Sequence, residues 1–123
     1  MNGIILFGHG ARDIRWREPF DQLASLWKNC TPEVPVELAF LEMMQPDLQS
    51  AVKKLVAMKV QKISIIPVFF GQGGHLRNDF PILIEQCRKE FIGIEFNVST
   101  AVGEDMGVLN AIIDFAKRSM ANS

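Results

Sequence analysis

The chain contains two histidines, and both stand in the same local pattern. His9 falls in Gly3-Ile4-Ile5-Leu6-Phe7-Gly8-His9-Gly10-Ala11-Arg12, and His75 in Ile63-Ser64-Ile65-Ile66-Pro67-Val68-Phe69-Phe70-Gly71-Gln72-Gly73-Gly74-His75-Leu76-Arg77. Each time an apolar run leads into glycine, then His, then Arg. Glu42 follows a third apolar segment, Val34 to Phe40. Two neutral imidazoles and a carboxylate suit a borderline divalent metal. Three protein ligands would leave positions open for a substrate. The carboxylate could instead accept a proton. Arg12, Arg15, Arg17 and Arg77 add local positive charge, which favours a partner bearing carboxylates or phosphates. Met43, Met44, Phe69, Phe70 and Leu76 are apolar residues in or beside these segments, suited to a core, a large flat ligand or a second subunit.

Blander readings exist for each residue. A lone histidine beside a strand is more often structural than a ligand, a loop glutamate is usually solvated, and a glycine run can be only a tight turn. The matching settings of His9 and His75, in a chain without other histidines, bring the two readings for that pair close to even.

The elements that must position these residues alternate strand and helix. Ile63 to Phe70 is rich in β-branched and aromatic residues, as in a strand covered on both faces, and Pro67 ends its regular part. Gly71, Gly73 and Gly74 then allow a sharp turn and close approach to a ligand. The other expected strands are Gly3 to Phe7, Val34 to Phe40 and a more polar edge, Ile94 to Val98. Helices are expected over Arg17 to Asn29, Asp47 to Met58, from Asp79-Phe80-Pro81 to Phe91, and over Glu104 to Ser119. The apolar stripe of the last is Met106, Leu109, Ile113, Ala116 and Met120.

Such alternation predicts a three-layer α/β fold, a flavodoxin-like parallel sheet of order 2-1-3-4 with helices on both faces. Ligands of these sheets bind at the carboxyl ends of the strands, near the point where strand order reverses. His9, Glu42 and His75 follow the first, second and third strands, so all three converge on one rim.

At 123 residues the expectation is one domain spanning 1–123, with 48% hydrophobic residues as in an ordinary globular protein. A net charge of −1 provides no global field for nucleic acid or an anionic membrane, and neither partner is expected. Cys30 and Cys87 lack metal-type spacing and read as reduced thiols, with a disulfide as the other option. No signal peptide is visible and no stretch approaches the roughly 20 apolar residues of a membrane span, so a cytoplasmic location is expected.

Phe7-Gly8-His9-Gly10-Ala11-Arg12-Asp13, then Ala39-Phe40-Leu41-Glu42 leading to Pro46-Asp47-Leu48, then Pro67 to Pro81 with its glycine turn, His75 and Asp79-Phe80-Pro81, resemble the sirohydrochlorin cobaltochelatases of the CbiX type. These are class II chelatases, related more distantly to the iron chelatases of siroheme and protoheme synthesis. The likeness covers nearly the whole chain, and its third block is the most specific. Many relatives have Ser where this chain has Ala11.

The resemblance implies a chelatase-like fold and a lyase that inserts a divalent metal into sirohydrochlorin or a similar tetrapyrrole in cobalamin or siroheme-type biosynthesis. His9, Glu42 and His75 fall on its catalytic and metal-handling positions. Gly10, Arg12, Met43, Phe70, Gly73, Gly74, Leu76 and Arg77 are expected around the substrate. The metal is a substrate, Co2+ foremost with Ni2+ or Fe2+ as alternatives, and no organic cofactor is required. Most bacterial members carry two such domains in one chain. This chain resembles the short form, which implies a homodimer. The competing readings are a non-catalytic metal carrier using the same histidines and a histidine phosphatase. The phosphatase needs an Arg directly before its first His, where this chain has Gly8.

Overall fold

A computed structural model describes residues 1–71 and 73–122, and the side chains at positions 74 and 75 lie outside the description. Strand and helix alternate throughout: β1 (Asn2–Gly8), α1 (Glu18–Cys30), β2 (Val36–Phe40), α2 (Leu48–Ala57), β3 (Lys62–Pro67), α3 (Gly74–Glu90), β4 (Glu95–Val98) and α4 (Met106–Ala121). Short 3-10 turns cover Ile14–Arg17 and Val102–Glu104. The sheet has four strands in the order β2-β1-β3-β4, all pairs parallel, as the alternation predicts.

Side-chain alternation splits the core. Ile5 and Phe7 of β1, Ile63 and Ile65 of β3, and Phe96 of β4 pack against Leu48, Ala51, Val52 and Leu55 of α2 and Leu76, Phe80, Ile84 and Cys87 of α3. The Phe7 and Phe80 rings stack with centroids 4.9 Å apart. On the opposite face, Ile4, Leu6, Val36, Leu38 and Phe40 pack against Phe20 of α1, with Ala24 and Trp27 at the margin. Each fully buried side chain of this size contributes about 1.5–3 kcal/mol relative to exposure. β1 is central and apolar on both faces because helices cover both sides of it.

Helix boundaries follow local chemistry. Asp47 caps α2 by accepting a hydrogen bond from the Ser50 N–H at 2.9 Å. Its hydrogen bonding with Ser50 holds the carboxyl below the usual carboxylate range. Asp105 caps α4 in the same way, accepting from the Val108 N–H at 3.1 Å.

The helices depart from the sequence expectation in two places. α3 begins at Gly74 rather than near Asp79, so Pro81 lies inside it. A proline there forfeits one backbone hydrogen bond. Leu76, Phe80, Ile84 and Cys87 nevertheless form a continuous buried stripe at helical spacing, and their burial carries the helix through the proline. The second departure is α4. Its stripe was expected to face the core, yet none of its residues is buried. The site is unaffected by that, but the sheet is left incompletely covered.

Candidate functional site

The site is built where the first two strands end. The parallel pairing of β1 and β2 continues past their ends through two backbone hydrogen bonds. Leu41 N–H donates to the Gly8 carbonyl at 2.9 Å, and Glu42 N–H donates to the His9 carbonyl at 3.2 Å. His9 and Glu42 are therefore neighbours across the sheet, with His9 Nε2 3.9 Å from Glu42 Oε1. Both side chains are partly open to solvent, 46% and 38% exposed. His9 Nδ1 lies 3.4 Å from the Gly10 carbonyl. A proton on Nδ1 directed there leaves the Nε2 lone pair on the Glu42 side, the tautomer that a metal ligand needs.

Glycines make this approach possible. A Cβ at Gly8 would lie 2.6 Å from the Phe20 ring. Gly10 has φ +96°, and a Cβ there would run into the Glu42 carbonyl oxygen. On the other side of the contact Met43 has φ +65°, a conformation that costs a non-glycine residue about 1–2 kcal/mol. Strain of this kind concentrates where a backbone is held for function. Gly10→Ala should therefore push the two loops apart and lower stability by about 2–3 kcal/mol. Gly73→Ala, with φ −68° and nothing within 4 Å, should stay within about 0.5 kcal/mol of the parent. Urea unfolding of the two variants checks the contrast.

β3 joins the same rim. Val68 N–H donates to the Phe7 carbonyl at 2.7 Å, extending the pairing of β1 with β3. Phe69 turns inward against the Phe80 ring edge, whereas Phe70 is 65% exposed. Position 75 lies in the first turn of α3, with Gly73 as its N-cap and Arg77 N–H bonded to the Gly73 carbonyl at 2.9 Å. Leu76 and Phe80 pack in the same core cluster as Phe7, so position 75 lies at a helix start rather than in a loop. The expectation for its side chain falls outside the described residues. Among the described residues no group of three or more His, Cys, Asp and Glu comes together as a metal site.

The remaining expected residues separate. Gly10 joins the two loops, Met43 (58% exposed) and Phe70 are open apolar surface, and Gly73 starts α3. Leu76 is corrected by the structure: at 4% exposed it belongs to the core and offers no face to a ligand. Arg12 and Arg77 are exposed, and no carboxylate among the described residues pairs with either. Arg15 and Arg17 are committed elsewhere. Arg15 pairs with Asp13 at 2.7 Å. Arg17 pairs with Asp21, donates to the Gln45 carbonyl at 2.7 Å and covers the Phe40 ring.

Two positioning residues escaped the sequence reading. Trp16, 37% exposed, packs on Phe20 with its ring tilted by 33° and meets Phe40 edge-on. A Cβ at Gly103 would collide with the Phe70 backbone, and Gly103 N–H donates to the Phe69 carbonyl at 3.1 Å. The aromatic spacing hinted at Trp16. Nothing local in the sequence announces the long-range contact of Gly103.

A parallel sheet with an imidazole and a carboxylate meeting at its carboxyl rim is the frame of an α/β protein that binds ligands at the strand ends. The chain belongs to the CbiX family, whose sequence model matches residues 3–119. It is similar to the sirohydrochlorin cobaltochelatase of Methanothermobacter thermautotrophicus, 33% identical over 82 residues that make up 67% of this chain and 57% of that protein. It is 30% identical to the sirohydrochlorin cobaltochelatase of Sulfurisphaera tokodaii over 105 residues, 85% of this chain and 82% of that one. Among solved structures, a CbiX protein from Marinobacter aquaeolei VT8 superposes with a TM-score of 0.87 at 30% identity, covering 100% of both chains. The sirohydrochlorin chelatase SirB of Bacillus subtilis subspecies spizizenii, in complex with cobalt, superposes with a TM-score of 0.80 at 20% identity. That match covers 95% of this chain and 50% of SirB, a likeness of fold.

Proposed function

We propose that the protein inserts a divalent metal ion into sirohydrochlorin or a similar tetrapyrrole, as a chelatase that works in pairs. The observation that carries this reading is the His9–Glu42 pair at 3.9 Å, locked together by the Glu42 N–H to His9 carbonyl bond at the strand-end rim. The names of the relatives supply the substrate class.

Chemically, a metal ion replaces two inner N–H protons of the macrocycle, so the site needs a donor for the ion and an acceptor for protons. His9 and His75 act as neutral imidazole donors. Glu42, within reach of His9 Nε2, holds the ion or takes the pyrrole protons. Exposed Met43 and Phe70 flank the rim and suit the flat apolar face of a macrocycle. Arg12 and Arg77 meet its carboxylate rim. Co2+ is the foremost ion, with Ni2+ and Fe2+ as alternatives, because affinity order alone does not set selectivity. Pairing of two copies would enclose a macrocycle that one open rim leaves exposed.

Titrating the protein into metal-free sirohydrochlorin tests the substrate class. A saturable shift of the tetrapyrrole absorbance is expected. No shift, together with turnover of phosphate esters, would favour the hydrolase reading. In the same titration Arg12→Ala and Arg77→Ala should each weaken binding by up to about fivefold, more at low salt than at high salt. Affinity unchanged at every salt concentration would place both arginines outside the substrate contact.

A further inference from the structure

Residues 41–46 carry Glu42, and the two ends of this loop are tied down in different ways. The entry is held to β1 by the Leu41 and Glu42 N–H bonds to the Gly8 and His9 carbonyls. The feet are drawn together by Phe40 N–H, which donates to the Pro46 carbonyl at 3.0 Å. Between them Met43 stands at φ +65°, a conformation that relaxes unless its flanks are fixed. The exit is fixed from a distance. Arg17 Nη1 donates to the Gln45 carbonyl at 2.7 Å, 28 residues further along the chain.

Three contacts orient the Arg17 guanidinium. Its Nε donates to Asp21 Oδ1 at 3.2 Å, one turn along α1. Its carbon lies 5.3 Å from the centre of the Phe40 ring, within cation–π range. Phe40 is buried and meets Phe20 of α1 edge-on, so the ring beneath the guanidinium is itself immobile. The Arg17 side chain is 29% exposed, against 79% for Arg15. Helix stability does not ask for a cation here. Arg17 is the N-cap of α1 and makes no side-chain capping bond, and the dipole disfavours positive charge at a helix N-terminus. What the position offers is reach. A planar fork spans Asp21 and the loop backbone at once, and a bond from a charged donor is stronger than a neutral one.

We propose that Arg17 is a positioning residue for Glu42: it clamps the exit of the 41–46 loop to the start of α1 and so holds the carboxylate beside His9, at 3.9 Å. The inference rests on the chelatase reading for what Glu42 does, and on geometry alone for the clamp. Arg17 is not a substrate contact. Its fork is engaged by Asp21 and Gln45, so its loss acts on turnover through Glu42 and leaves tetrapyrrole affinity in place.

Arg17→Ala and Arg17→Lys are made in the full chain. Amide hydrogen exchange, read by NMR on the protein alone, reports the clamp. In Arg17→Ala the Phe40, Leu41 and Glu42 amides should exchange about tenfold faster, the scale of a lost charged hydrogen bond, while the interior of α1 keeps its parental rates. Arg17→Lys keeps the charge and one donor but not the fork, and should fall between. In metal insertion, Arg17→Ala should lower kcat about tenfold, with KM for sirohydrochlorin within about twofold of the parent. Added to Glu42→Gln it should cost less than about twofold more, because the group it positions is already gone. Parental exchange at residues 40–42 in both variants would overturn the clamp. A raised KM at unchanged kcat would make Arg17 a substrate contact, and an undiminished further loss in the Glu42→Gln background would show it acting independently of Glu42; either overturns the positioning role. Should the parent insert no metal, the chelatase reading fails, and the exchange rates still decide whether Arg17 holds the loop.

Discussion

His9→Ala and His75→Ala should each lower the rate of metal insertion by about 100-fold or more, since even groups that only orient metal ligands are worth 10–100-fold. Neither change should unfold the protein. The His9 side chain is 46% exposed, and its contacts at 3.4 and 3.9 Å hold no core element. Its loss should stay within about 0.5 kcal/mol. Position 75 lies in the first turn of α3, where alanine is a good helix former. Circular dichroism and urea unfolding establish that each variant folds, and insertion is followed by tetrapyrrole absorbance. Folded variants that insert metal at the parental rate would remove both histidines from the chemistry.

Glu42→Gln should slow insertion by about 100-fold or more while leaving the fold in place, the scale of a lost general base. The substitution keeps size and hydrogen bonding but removes charge and the basic oxygen. The backbone link from Glu42 N–H to His9 does not depend on the side chain, so the loop should hold its shape. Metal affinity then separates the two roles. A proton acceptor predicts near-parental metal binding with slow insertion. A ligand predicts affinity lower by about 10–100-fold as well. Parental insertion by this variant would leave Glu42 without a role.

Much of this arrangement is legible in the sequence for physical reasons. The apolar runs ending at Phe7, Phe40 and Pro67 are strands because β-branched and aromatic residues pack on pleated surfaces. Parallel order then brings whatever follows them to one rim. His9 and Glu42 come out as neighbours for that reason. What the sequence conceals is long-range. Asp79-Phe80-Pro81 reads as a helix start, but burial of Leu76 against Phe7 and its neighbours extends α3 back to Gly74. The same burial removes Leu76 from the ligand-facing residues. Gly10 looked like a substrate contact, yet its closest neighbour is the Glu42 carbonyl, a tertiary approach that no local pattern encodes. Arg15 and Arg17 are a different case. Asp13 two residues before Arg15 and Asp21 four residues after Arg17 were in plain view, and local pairing claims those arginines first. The amphipathic stripe of α4 was also readable, but periodicity says only that a helix has a side to bury, not against which surface.

Metal insertion itself is the most direct test. The purified protein is mixed with sirohydrochlorin and, separately, with Co2+, Ni2+ and Fe2+, without oxygen, and the absorbance change that accompanies metallation is timed. The proposed chelatase function predicts, for at least one of the three ions, a rate proportional to protein concentration, saturable in tetrapyrrole and lost with His9→Ala. Rates equal to the protein-free reaction for all three ions would contradict the chelatase reading.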